Sequence, residues 1–326
     1  MSAASSRNKP ELESIIFHGD AIPRSWVVNA TPHGAESGKT IQPNELVITV
    51  LENTEAPMHL TWDQPAGNPQ GIRVYQQVSQ LQHALGRKRL IGNTLRSTGR
   101  ELDHDWIPFF KGNGWLVELD FDGPAHVHDH YRRGRKHATL HEQAERAARL
   151  LLANGVPLTA LVAVNAYSVR FPEAIYTYLK RLGIRHLQLN YLSETESEAD
   201  DRGIDAATLA PFLCELYDCW QQDREASQNG LEIRTFSDIH AEIAGREPSF
   251  SRVTLVVDGR ANVYGRFPAT QRLMVLGNLS TTTLGECLST WADILAEDPG
   301  ARTLSPDERQ LSIALQSLRQ HARSTF

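Results

Sequence analysis

From Pro57 to about Glu194 the chain changes its hydrophobic period repeatedly: a short apolar run, an amphipathic stretch, then another apolar run. This rhythm restricts the fold more than any single residue does, because strand–helix–strand units around a parallel sheet bury both patterns together. Residues 58–62 read as a strand, and 71–85 as a helix with Ile72, Tyr75, Val78 and Leu81 on one face. A second strand follows over 90–95. Asp103 reads as the cap of a helix reaching about Lys111, its carboxylate accepting from free first-turn amides. Residues 115–121 alternate as a strand that ends at the turn Asp122-Gly123-Pro124, and 139–154 form an Ala- and Leu-rich helix closed by Gly155. The nearly all-apolar run 158–164 suits a strand covered on both faces. A helix over 171–182, stopped by Gly183, leads into a strand over 186–191.

Beyond Glu194 the character shifts. Residues 193–201 are acidic and turn-rich, 206–224 read as a long amphipathic helix, and 253–264 as a hairpin on an Asp258-Gly259 turn. The expected division is an N-terminal segment with an altered first βα unit over 1–56, a barrel core over 57–200, and a C-terminal helix with a small appended region over 201–326.

A chain of 326 residues buries a substantial core. Its net charge of -6 and pI near 6.1 argue against nucleic acid as a partner. No apolar stretch is long enough to span a bilayer and the Ser/Ala-rich start lacks a signal-peptide centre, so a cytoplasmic address without a membrane partner is expected. The cysteines are Cys214, Cys219 and Cys287, too few for a disulfide framework, and no thiol precedes Cys214.

The run Ser97-Thr98-Gly99, Leu102-Asp103, Phe109-Phe110, then 114–124 ending in Asp122-Gly123-Pro124, His128-Asp129 and Arg132 resembles the central stretch of the anaerobic sulfatase-maturating enzymes of the radical S-adenosylmethionine (SAM) family. The likeness continues through 161–165, 178–185, 187–189 and 212–220, and reaches 276–279, so it spans roughly Pro57 to Leu288. It implies an α/β fold, a partial (β/α)6 TIM-like barrel of the radical SAM type with a small, degenerate SPASM-like C-terminal region. On this resemblance Asn29, His33, Asp63, Arg96, Thr98, Asp122, His128, Arg132 and Asn165 are the candidate ligand-binding residues. Asp238, near Thr235-Phe236, is the candidate for the aspartate that removes a proton.

Three SAM-linked elements depart from the family pattern, and so does the C-terminal module. The family's cluster loop needs three thiolates, since thiolates are the donors that hold iron–sulfur clusters. The corresponding stretch, 25–34, contains none. The glycine-rich SAM loop would fall at 63–67 and the third strand's motif at 96–99, and both are altered. Around 249–267 the residues of the hairpin, Ser251 and Gly265 among them, supply no thiols for auxiliary clusters.

The expectation is therefore a pseudoenzyme without its own 4Fe-4S cluster or any other cofactor, binding a peptide, a small ligand or an active radical SAM partner. The alternatives are a maturase-like oxidoreductase with a shared or unusual cluster, which would use 4Fe-4S and SAM, and a metal-dependent enzyme. The last would use His126, His128 and His130, which share a face if the segment is extended and could then ligate zinc or nickel. The basic run 131–137 could take an anionic group instead. His18-Gly19-Asp20 and 29–34 could line a remodelled pocket at the strand ends. No nucleophile elbow, P-loop or dinucleotide fingerprint occurs, and Gly112-Asn113-Gly114 lacks the third glycine.

Overall fold

The computed structural model describes residues 11–18, 41–53, 58–63, 71–85, 91–132, 139–191, 203–226, 230–245, 252–266, 273–296 and 306–325. In chain order these form β1 (Glu11–His18), α1 (Pro43–Asn53), β2 (Met58–Asp63), α2 (Ile72–Leu85), β3 (Ile91–Ser97), α3 (Trp106–Asn113), β4 (Leu116–Asp120) and α4 (Ala125–Tyr131). Then come α5 (Leu140–Ala153), β5 (Leu158–Val164), a 3-10 turn (Ser168–Arg170), α6 (Pro172–Leu182), β6 (His186–Tyr191) and α7 (Ala206–Ala226). The chain closes with β7 (Glu232–Ile233), α8 (Arg234–Ile243), β8 (Arg252–Asp258), β9 (Asn262–Arg266), β10 (Leu273–Asn278), α9 (Leu284–Ala296) and α10 (Pro306–Thr325). No helix among the described residues is long and apolar enough to cross a membrane.

The chain divides into two compact units, interleaved in sequence. The first gathers 1–60, 77–91 and 249–303, and the second 61–76, 92–248 and 304–326. In the first, β1 runs parallel to β8, and β8, β9 and β10 continue antiparallel. The hairpin turn is longer than the Asp258-Gly259 pair alone predicts. Asp258 accepts from the backbone amides of Arg260 and Asn262 at 2.9 Å and from the Tyr264 hydroxyl at 3.0 Å, while Ala261 takes φ +65°. Four donors on one buried carboxylate, the Asn262 side-chain amide being the fourth, make Asp258 the keystone of this turn.

In the second unit β3, β4, β5, β6 and β7 pair in parallel in that order, and among the described strands the sheet does not close into a full barrel. The mixed α/β architecture with a parallel sheet is thus the one the periodicity predicts, and the partial barrel is the one the resemblance implies. One element differs at its start: α3 begins at Trp106, and Asp103 accepts from the Asp105 amide at 3.0 Å, a local turn before the helix rather than its cap. Thr139 does cap α5, accepting from the Glu142 amide at 3.2 Å. The core on one side is aromatic: Trp62 stacks on Trp115 at 6.4 Å, Phe109 packs on Trp115 at 5.0 Å, and the Trp62 indole donates to Asn93 at 3.0 Å. Fully burying such side chains is worth about 1.5–3 kcal/mol each.

Candidate functional site: charged strand ends of the second unit

The carboxyl ends of β2 to β5 within the second unit carry charges in an otherwise apolar setting. Arg96 on β3 and Glu118 on β4 are register partners, so the sheet itself brings them together. Two guanidinium nitrogens of Arg96 donate to Glu118 Oε2 at 3.0 and 2.8 Å, and a third lies 3.5 Å from Asp63. Burial alone would lower the Arg96 pKa, but Glu118 and Asp63 outweigh it and raise the value.

The second knot centres on Arg132, just beyond α4. Its Nε donates to Asp122 Oδ2 at 2.8 Å, its Nη2 to Asp122 Oδ1 at 3.3 Å, and its Nη1 to Asp120 at 3.2 Å. Asp122 Oδ1 also accepts from the Ala163 amide on β5 at 2.7 Å. Burial would push the Asp122 carboxyl up, yet Arg132, His128 and the Ala163 amide hold it below the usual carboxylate range. Asp120 goes the other way, raised by burial that Arg132 offsets only in part. Gly123 makes the turn possible: at φ +109° an L side chain is strained, and a Cβ there would lie 3.3 Å from the Ile175 backbone.

His128 is buried at 3% exposure and its Nδ1 lies 3.2 Å from the Asp122 amide. The same Nδ1 lies 3.3 Å from Asp122 Oδ2, so it faces both the amide and the carboxylate of one residue, accepting from the first or donating to the second according to its tautomer. The ring meets Phe121 edge-on at 5.7 Å and His141 at 6.0 Å. His141 in turn contacts the Tyr178 hydroxyl at 3.0 Å, and burial, then His128, lowers its pKa.

The three histidines do not converge. The segment is α4, a helix, so His126 and His130 face away from His128. His130 stacks on Tyr167 at 3.5 Å and 6°, and His126 meets Phe171 at 5.0 Å. No group of three potential metal ligands occurs among the described residues.

Of the other sequence candidates, Thr98 is half-buried just past β3. Asn165 is buried, and its Oδ1 accepts from the Tyr167 and Ser168 amides at 3.0 and 2.9 Å, forming the turn after β5. Asp238 is buried on α8 with Arg234 at 3.8 Å, apart in sequence from these strands. Asn29, His33, the loop 25–34, Gly19-Asp20, 64–67 and 133–137 lie outside the described residues. Sequence reasoning missed Glu118, Asp120, His141 and Tyr178. Two of these had a signal: Glu118 and Asp120 are alternate acids in a strand whose neighbours are Val117, Leu119 and Phe121.

No protein-family model matches the sequence. The serine-type anaerobic sulfatase-maturating enzyme of Bacteroides thetaiotaomicron is 22% identical over 281 residues, 78% of this chain and 67% of that one. The cysteine-type enzyme of Clostridium perfringens is 28% identical over 193 residues, 57% of this chain and 51% of that one. The matched regions thus span about half to two thirds of these relatives. A solved structure of native anSMEcpe with bound AdoMet and the Cp18Cys peptide superposes with a TM-score of 0.73 at 19% identity, covering 96% of this chain and 97% of that one. The fold is that of the anaerobic sulfatase-maturating enzymes.

These matches correct the expectation that no cofactor is bound. Proteins sharing the maturase fold over nearly the whole chain carry AdoMet, so a cofactor-free reading of the fold does not stand. The residues of this chain nevertheless do not fit a four-iron cluster. No cysteine precedes Cys214. Burial raises the Cys214 and Cys219 thiols, and pushes Cys287 up to about 11, so all three favour the protonated form that ligates iron poorly.

Proposed function

We propose that the chain is a peptide-binding protein of the maturase fold that does not build its own 4Fe-4S cluster and works beside a cluster-bearing partner. One observation carries this reading: a chain of which 96% is covered by a maturase structure has no cysteine, and so no thiolate donor, before Cys214. Peptide binding is favoured by the peptide-bound structure that covers 96% of the chain. The partner follows from chemistry, since a four-iron centre needs thiolates. Within the strand-end site, Asp63, Arg96, Thr98 and Asp120 face the ligand in this reading. Asp122, His128, Arg132 and Asn165 brace the loops that hold it. AdoMet, bound by the same neighbour, remains a ligand to be tested at these strand ends.

A second reading is a working maturase-like oxidoreductase whose cluster is unusual or is shared between two copies of this chain. The AdoMet in the neighbouring structure favours it. One experiment separates the two. The purified chain is treated anaerobically with iron and sulfide, assayed for bound iron and for 5′-deoxyadenosine, and titrated calorimetrically with AdoMet and with the Cp18Cys peptide. The first reading expects saturable peptide binding with iron no higher than in a mock-treated control. Stoichiometric iron with 5′-deoxyadenosine from the chain alone would replace it with the second, and absence of peptide binding would sink the peptide assignment.

A further inference from the structure

The helix after β4 and the turn after β5 meet at the carboxyl ends of two strands that pair in parallel, on the same rim as Asp120 and Asp122. Tyr167 lies in that turn, its amide held by Asn165 Oδ1 at 3.0 Å. The His130 ring stacks on Tyr167 at 3.5 Å and 6°, and the Arg170 guanidinium lies 4.3 Å from the same ring centroid. Two groups so close to one ring can only cover its opposite faces, so Tyr167 is sandwiched between an imidazole and a guanidinium. Phe171 extends the stack. It packs on Tyr167 at 5.1 Å, lies 5.4 Å from the Arg170 guanidinium and meets His126 edge-on at 5.0 Å.

His126 and Arg170 are exposed, the other three side chains are partly buried, and the polar ends of the cluster are unspent. Arg170 donates its Nε to the Tyr167 carbonyl at 3.5 Å and makes no ion pair among the described residues. Held by its face, a guanidinium keeps its in-plane Nη fork for an acceptor. Neither imidazole has a hydrogen-bond partner among the described residues. The acids nearest in sequence are turned elsewhere. Asp129 accepts from the His141 amide at 2.9 Å, and Glu173 adds to burial in raising the Cys219 thiol on α7. On a chain of net charge -6, this is a donor-rich aromatic patch without an acid of its own. Aromatic and arginine side chains supply much of the binding energy of interfaces, and a stack fixed in advance loses little entropy on docking.

We propose that this patch docks an acidic stretch of a bound peptide, one carboxylate on the Arg170 fork and an apolar neighbour against Phe171. The proposal rests on the peptide-binding reading and names the class of peptide. Its test titrates the full chain calorimetrically at pH 7 with two synthetic pentapeptides, acetyl-Ala-Glu-Phe-Glu-Ala-amide and its counterpart with glutamine in place of glutamate. The glutamate peptide should bind about fivefold more tightly, the factor that an exposed ion pair of about 1 kcal/mol supplies. Arg170→Gln, a change at an exposed position, should bring the ratio below about twofold, and Arg170→Glu should invert it. Equal affinities in the parent overturn the proposal, and so does a preference that survives Arg170→Gln. A preference that appears only after Glu194, Glu196 and Glu198 are changed to glutamine would give the patch to the chain's own acidic stretch, and overturns it as well. The Cp18Cys peptide, titrated alongside, keeps the two readings apart. Its failure to bind beside an intact glutamate preference sinks the strand-end assignment alone, and its binding without that preference sinks the patch alone.

Discussion

Asp120 and Asp122 stand two positions apart on one strand end, share Arg132, and are pushed in opposite directions. Asp122 accepts from two Arg132 nitrogens and the Ala163 amide, so its charged form is favoured; Asp120, with 29% of its side chain exposed, accepts from one Arg132 nitrogen. The signs for stability differ accordingly. A carboxyl held below its unfolded value of about 3.9 contributes stability that is present above that pH and is lost as pH falls through the lowered folded value. A carboxyl raised in the folded state opposes folding when charged, and that cost fades as pH falls through the raised value. Asp122→Asn should therefore cost about 3 kcal/mol at pH 7, because it breaks an ion pair whose carboxylate is buried and strips the half-buried Arg132 of its main partner. Asp120→Asn should cost less than about 1 kcal/mol, as for a more exposed pair. Urea unfolding of both variants at pH 7 reads the difference, and equal costs would contradict the assignment. On the acid side the Asp122→Asn protein should show a shallower fall in stability than the parent, since it lacks the share of Asp122. In the sequence, the Asp-Gly-Pro motif announced Asp122. Asp120 was hidden because alternation predicts only the facing of a strand residue and says nothing about which charge will meet it.

At the scale of elements, strands and helices with a strong period were legible, and β5 runs over the 158–164 that its apolar run predicts. The histidine segment was not, since seven residues with His at every second position suit either a strand or a helix until the turn before it is known. Pro124 settles it, holding an extended conformation in front of α4 so that the next carbonyls start a helix. The first-unit hairpin shows another kind of constraint. A Cβ on Gly265 would lie 2.3 Å from Trp291, which is fully buried on α9, so β9 and α9 touch through a missing side chain. Gly265→Ala should destabilise by about 1–3 kcal/mol, the usual cost of overpacking a core. Combining it with Trp291→Leu should give less than the sum of the two single costs, by about 1 kcal/mol. Thermal melts of the three variants test this, and strict additivity would mean the two residues do not press on each other.

For the whole molecule, the parallel pairing of β1 with β8 joins residues more than 230 positions apart, as in Glu11 with Arg252, and no local period signals it. The βα rhythm could predict the second unit's sheet because each strand there pairs with the next in sequence. It could not predict which early strand receives the late hairpin. The cysteines are legible in the opposite sense: their number is plain, but only the fold gives their state. Cys214 and Cys219 sit half-buried on α7, and Cys287 is fully buried on α9. With its pKa pushed up to about 11, Cys287 is about one part in a thousand thiolate at pH 8. Since the thiolate is both the reactive form and the iron ligand, one measurement addresses both properties. In the native protein at pH 8 a disulfide reagent should label Cys214 and Cys219 slowly and leave Cys287 untouched, whereas in denaturant all three should react at once. Adding iron and sulfide beforehand should not change those rates. If it protected Cys214 and Cys219 in the folded chain, these thiols would be binding iron after all, and the case for a partner's cluster would lose its footing.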